Sequence, residues 1–190
     1  MKKYKLTNET IHVDGHTLHR IEALTYFSDV YKGDKGGFVE SEDNLSQKGD
    51  CWIYGTAKVY GNAMVYGNAR ICDNAEVYGD ASVYNNASIS DNAKVCGNAK
   101  VCGDAIIYGR ADVGGDAKVT DNADYIVFKN WWSSGRYFTW TRSNNMWKVG
   151  CFHGTGEGLI AKAYKDSKLS GREYERVVKY VESILKDSRK

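Results

Sequence analysis

The stretch Val59-Tyr60-Gly61-Asn62-Ala63-Met64-Val65-Tyr66-Gly67-Asn68-Ala69-Arg70 decides the fold. It holds two copies of a six-residue unit. An aliphatic residue comes first, then a variable one that is often Tyr, then Gly, Asp or Asn, then mostly Asn or Asp, then Ala, then a variable residue. The unit runs twelve times without an insertion from Ile53 to Asp124, with Val or Ile at every first position and Ala at every fifth. A period of six is neither helical nor a plain strand alternation. It fits a short extended segment, a turn rich in Gly and Asn, and another short segment, repeated.

Stacking such units predicts a mainly β protein built on a parallel β-helix, triangular in section, with three hexads to each coil of about eighteen residues. Residues two apart on a strand share a face, so each Val or Ile and the Ala two positions before it point inward. Gly, Asn and Asp suit the left-handed backbone required at the corners. A five-residue repeat would wind a square coil instead. The register makes its own checks. Lys58, Glu76, Lys94 and Asp112 fall in one outward column of alternating charge, and Asn62, Asp80, Asn98 and Asp116 in one corner column. Cys72, Cys96 and Cys102 fall on three different faces, which leaves no disulfide geometry among them.

The flanks differ from the repeat. Thr10-Ile11-His12-Val13 and His16-Thr17-Leu18-His19-Arg20-Ile21 surround Asp14-Gly15 as a hairpin, and residues 33–37 read as a turn. Val39 to Leu45 keeps the spacing of six, but Leu45 to Ile53 is eight, so a two-residue bulge is expected near Cys51-Trp52. Residues 1–52 therefore read as an N-terminal β cap with a first imperfect coil, and residues 53–124 as four regular coils. Residues 125–190 read as a small α+β domain. There, Tyr125–Phe128 and a hairpin of residues 136–142 and 146–152 precede a short helix over residues 157–165. A second helix starts at a capping box on Ser170 and Glu173. Its stripe of Tyr174, Val177, Val178, Val181, Ile184 and Leu185 should pack on the sheet.

Charge separates the same segments. Residues 1–52 carry 7 basic and 9 acidic side chains, residues 53–124 carry 6 and 9, and residues 125–190 carry 13 and 6. Four of the five tryptophans also lie in the last segment. The five cysteines follow no disulfide or zinc framework and suit a reducing compartment. With no long apolar run and no signal-peptide pattern at Met1-Lys2-Lys3, a soluble chain in a bacterial cytoplasm, away from the membrane, is expected. No motif calls for a cofactor or a metal.

Several stretches resemble a family of uncharacterised hexapeptide-repeat proteins found in phages, prophages and bacterial genomes. They are Lys3-Tyr4-Lys5-Leu6-Thr7, Asp29-Val30, Gly36-Gly37-Phe38-Val39, Asn44-Leu45-Ser46-Gln47 and Gly49-Asp50-Cys51-Trp52-Ile53-Tyr54. The ending, with Val149-Gly150-Cys151-Phe152 and Gly154-Thr155, resembles a C-terminal module carried by phage proteins of that kind. The resemblance implies a left-handed β-helix, a mobile-element context and, as rods of this fold often do, a parallel homotrimer. It implies no activity. Some hexapeptide-repeat proteins are acyltransferases with a His base, or carbonic anhydrases with a three-His zinc site. Here His12, His16, His19 and His153 all lie outside the repeat. That favours a non-enzymatic protein.

The remaining candidates are binding residues. Tyr60 with Tyr78, and Tyr66 with Tyr84, stack in outward columns that suit either a subunit interface or mere support of neighbouring strands. Gly154-Thr155-Gly156 leads into a helix whose N–H groups attract anions, and Trp132, Arg136 and Arg142 offer stacking and charge for a nucleotide. A plain strand-to-helix turn is the simpler explanation of these glycines. Cys151 and His153 stand two apart, but a buried Cys beside a loop His gives them no catalytic role. The reading is an oligomeric rod presenting a C-terminal binding domain: a phage-type accessory protein that inhibits host defence by binding a host protein or sequestering a nucleotide or other anion. An acyltransferase and a virion or filament component are the alternatives.

Overall fold

The computed structural model describes residues 2–132 and 135–187. A hairpin of β1 (Tyr4–Val13) and β2 (His16–Ala23) leads to β3 (Lys35–Val39). Twelve two-residue strands follow, from β4 (Trp52–Ile53) to β15 (Lys118–Val119), one to each hexad. They stack in parallel, eighteen residues apart, on three faces, for example Lys58 on Glu76 and Lys94 on Asp112. With the irregular first coil this makes a β-solenoid of about five turns. The aliphatic and alanine positions from Ile53 to Val119 form one continuous core at essentially zero exposure. Eleven corners are left-handed, at Gly or at Asp73, Asn85 and Asp91.

The sequence columns are realised as contacts. Glu76 takes Lys58 at 3.1 Å and Lys94 at 2.7 Å. Asn62 Nδ2 donates to Asp80 Oδ1 at 2.9 Å, and Asn98 Nδ2 to Asp116 Oδ1 at 2.8 Å. All five cysteines are free thiols.

Some sequence expectations are corrected. The turn before the first coil ends at Asp34, and Gly36 and Gly37 belong to β3, where an added Cβ would approach Ile53 O and Ala57 O within 2.5 Å. The two extra residues of the first coil lie in the 47–50 segment rather than at Cys51-Trp52. Ser46 N–H still bonds Val65 O, and Cys51 N–H bonds Gly67 O, so the slack falls between them. Gln47 is drawn out of the coil because its Oε1 accepts the Lys3 N–H at 2.8 Å. The last alanine, Ala123, is exposed in a one-turn 3-10 helix (Asn122–Asp124), because no further coil follows to cover it.

Beyond the rod, β16 (Tyr125–Lys129), β17 (Tyr137–Thr141), β18 (Met146–Val149) and β19 (Phe152–Gly154) form an antiparallel meander. The sequence suggested one hairpin. A second turn at Gly150, with φ of +56°, adds the fourth strand. Helices α1 (Gly156–Asp166) and α2 (Lys168–Asp187) follow. Helix α2 starts a few residues before Ser170, and the Ser167 side chain does the capping by accepting the Ser170 N–H at 3.0 Å. Strand alternation gives this sheet two working faces. Ile126, Phe128, Phe138, Trp140 and Trp147 pack with Leu159, Val178 and Val181 of the helices. Tyr125 and Val127 pack instead on the rod core, and Thr139 contacts the last coil. The sheet is the plug of the rod.

The rod is polar, which dictates how it is closed. At hexad positions two, four and six the N–H points to the following coil, while carbonyls at positions one, three and five point back. The N-terminal end therefore presents carbonyls and the C-terminal end presents amides. Buried groups of either kind need partners. At the first end Lys3 Nζ donates to Cys51 O (2.8 Å) and Gly49 O (3.2 Å), and Tyr4 Oη to Leu45 O (2.6 Å). Arg20 Nη1 donates to Gly36 O at 2.8 Å. At the last end side-chain oxygens accept: Asn122 Oδ1 from Ile106 N, Thr139 Oγ1 from Asp112 N and Ser143 Oγ from Lys118 N, at 2.7 to 2.8 Å.

Candidate functional site

The plug and the last coil do not meet flush. Arg110, at the first corner of the last coil, lies with its guanidinium 5.7 Å from the Tyr137 ring centroid, a cation–π distance. Two clefts adjoin this contact. One, of about 480 Å³, runs between Tyr108, Asn122, Tyr125, Val127 and Tyr137. The other, of about 520 Å³, is lined by Asn92, Lys94, Asp112, Arg136 and Gly150. Both volumes are in the range of small-ligand sites. Tyr108 is 60% exposed, and Tyr125 Oη donates to Ile106 O at 2.8 Å, which fixes the cleft wall.

Asp112 is the one carboxylate in this lining, and burial pushes its pKa up, against the opposing pull of Lys148 and Lys94. Cys96 Sγ lies 3.8 Å from Asp112 Oδ1, and burial raises that thiol as well, which makes it a poor nucleophile. Among the described residues no group of His, Cys, Asp and Glu is placed to hold a metal ion.

The residues picked from sequence are dispersed. Arg136 lines the second cleft. Arg142 is exposed and lines neither; its N–H bonds Asp124 O at 2.8 Å. Trp132, expected to stack a base, packs instead between Phe138 and Tyr174 in the sheet–helix core, while its neighbour Trp131 is 80% exposed. Thr155 caps α1 itself, accepting the Gly158 N–H at 3.2 Å. The hollow beside Thr155 and Gly156 is bordered by Glu157 and Glu182, whose charge opposes an anion there. Gly154 is in β19, paired with Trp147. Cys151 is exposed in a turn, not buried, and lies toward α1, whereas the His153 ring sits against Gly115 of the rod.

The tyrosine columns divide. Tyr60 and Tyr78 stack at 5.2 Å, but the N-terminal hairpin covers them: Tyr60 is 3% exposed and packs with Leu18 and Phe38, so its contact surface is used within the chain. Tyr66 and Tyr84 stack at 4.9 Å on an open face, with Tyr66 38% and Met64 49% exposed. Arg110, Tyr108 and Tyr137 were not singled out by sequence as a site. Arg110 breaks the Asn/Asp habit of its corner, and that departure was the available signal.

Fold and site define a hexapeptide-repeat β-solenoid with a cationic, aromatic joint at one end. Comparison with known proteins agrees on the repeat. Residues 57–73 match the family described as YdcK Beta solenoid repeat. The chain is also similar to "Uncharacterized acetyltransferase YdcK" of Escherichia coli (strain K12), 39% identical over 62 residues, covering 28% of this chain and 19% of that protein. The chain thus spans about a fifth of the length of the curated relative it matches. No helix among the described residues is long and apolar enough to cross a membrane.

Proposed function

We propose that this chain is a non-enzymatic binding protein in which the capped β-helix is a rigid scaffold and the joint between rod and plug receives an anionic partner. One observation carries the reading: Arg110, Lys94 and Arg136 converge on two adjoining clefts walled by Tyr108, Tyr125 and Tyr137. Cations beside aromatic faces suit an acidic protein segment or a nucleotide. The phage-type context that the family resemblance implies motivates an accessory role in which such binding blocks a host function.

Calorimetry against a panel of nucleotides and short RNAs, beside a pull-down of host proteins, tests this. Arg110→Ala and Arg136→Ala should each weaken capture, and added salt should weaken it further. Undiminished capture by the double variant contradicts the site. Tyr66, Tyr84 and Met64 on the open face support self-association as a trimer, for which light scattering should give about three times the chain mass. A strict monomer at micromolar concentration removes that part. The name of the partial relative supports a second reading, acetyl transfer, and turnover of an acetyl donor would replace binding by catalysis.

A further inference from the structure

The larger apolar part of the joint lies along a strand edge that has no partner strand among the described residues. Strand β16 ends its sheet and, among the described residues, pairs only with β17. Arg142 N–H bonds Asp124 O at 2.8 Å, and Asn130 N–H bonds Arg136 O at 2.7 Å. In an antiparallel ladder such hydrogen-bonded pairs alternate with pairs that turn their main-chain groups away. Residues 124, 126, 128 and 130 therefore face β17. Tyr125, Val127 and Lys129 turn their N–H and C=O groups outward, beside the cleft of about 480 Å³. Among the described residues none of these outward groups has a hydrogen-bond partner.

The other long edge is guarded. Strand β1 is irregular between Leu6 and Thr10 and carries ion pairs Lys5–Glu22 and Glu9–Arg20, the devices by which edges avoid pairing. Strand β16 is regular over its five residues and has only Lys129 as a guard.

We infer that the outer edge of β16 accepts an extended acidic peptide as a fifth strand, with its side chains entering the cleft between Tyr108 and Tyr137. This rests on the joint being the binding site and names its occupant. Main-chain bonds to an open edge supply affinity, and alternate side chains supply selectivity. The cleft has Arg110 on its wall, Lys129 at the strand's end and no carboxylate among its lining residues, so an acidic segment fits it. A second copy of the chain would bring another Arg110 and Lys129 to the joint rather than the carboxylates that its lining lacks. A nucleotide has no main-chain ladder to offer the edge.

Selection of a randomised peptide library on the full chain tests the inference. Enriched peptides should alternate apolar and acidic residues. Lys129→Pro removes one outward N–H without touching the β17 ladder, and should weaken the enriched peptides roughly tenfold, whereas Lys129→Ala should weaken them less. Arg110→Glu should abolish selection of acidic sequences. Far-UV circular dichroism of each variant, matched to the parent, shows that the fold is retained. Peptides that bind the Lys129→Pro chain equally, or that lack acidic residues, overturn the proposal. A silent library beside nucleotide binding lost on Arg110→Glu removes the peptide and keeps the joint as an anion-binding site. Silence of both removes the joint as a site.

Discussion

The two ends of the rod are closed by one-turn 3-10 helices of the same design and opposite chemistry. At the first end, Ser41 caps a turn ending in Asn44, which is 1% exposed. Asn44 Nδ2 donates to Gly61 O and Ala63 O, both at 2.9 Å, and its Oδ1 accepts the Ser41 N–H. At the last end, Asp121 caps a turn ending in Asp124, whose Oδ2 accepts from Thr120 N and Oγ1 at 2.8 Å and from Asp121 N at 3.2 Å. A donor amide stands where carbonyls protrude, and an acceptor carboxylate where amides protrude. A parallel coil cannot be closed symmetrically. Each end must supply what its exposed main-chain groups lack.

Exchanging the chemistry of one end should have the largest effect. Asn44→Asp would bury a carboxylate against two carbonyls and should cost about 3 kcal/mol or more in a denaturant melt. Lys3→Met strips the donor from Cys51 O and Gly49 O and should cost about 1–3 kcal/mol. An overpacked interior belongs in the same range: Ala81→Leu should cost about 1–3 kcal/mol, while the outward Lys100→Ala should stay within about 0.5. Equal tolerance at both positions would mean that the register is wrong.

A smaller effect separates two carboxylates of one column. For Glu76, burial raises the pKa but hydrogen bonds from Lys94 and Lys58 outweigh it, and the net shift is downward. Its stabilisation is present above the ordinary carboxylate range and is lost as pH falls through the lowered value. For Asp112 burial wins over Lys148 and Lys94, and the net shift is upward. Folding there gains as pH falls through the raised value. Thermal melts across pH should therefore find Glu76→Gln destabilising at neutral pH and Asp112→Asn neutral or stabilising.

The rod was legible because its information is periodic. Each Val, Ile and Ala repeats a statement about the interior, and the charge and Asn columns repeat the eighteen-residue register. The ends were not, because closure uses single residues from distant segments. Nothing near Cys51 announces that Lys3, 48 residues away, will cap its carbonyl. Thr139 and Ser143 read as ordinary strand and turn residues until the plug is docked. The same reason hid the joint. Arg110 belongs to a corner and Tyr137 to a strand, and only closure of the rod brings them together. Trp132 and Thr155 were legible as residue types, but packing turned them to structural use.

Amide hydrogen exchange at the last coil tests the closure most directly. In the parent chain the Asp112 and Lys118 amides should exchange as slowly as amides of the inner coils. Thr139→Val should speed Asp112 and leave Lys118 protected, and Ser143→Ala should do the reverse. Fast exchange of both amides in the parent chain, or no change in either variant, would contradict an amide end closed by the C-terminal sheet.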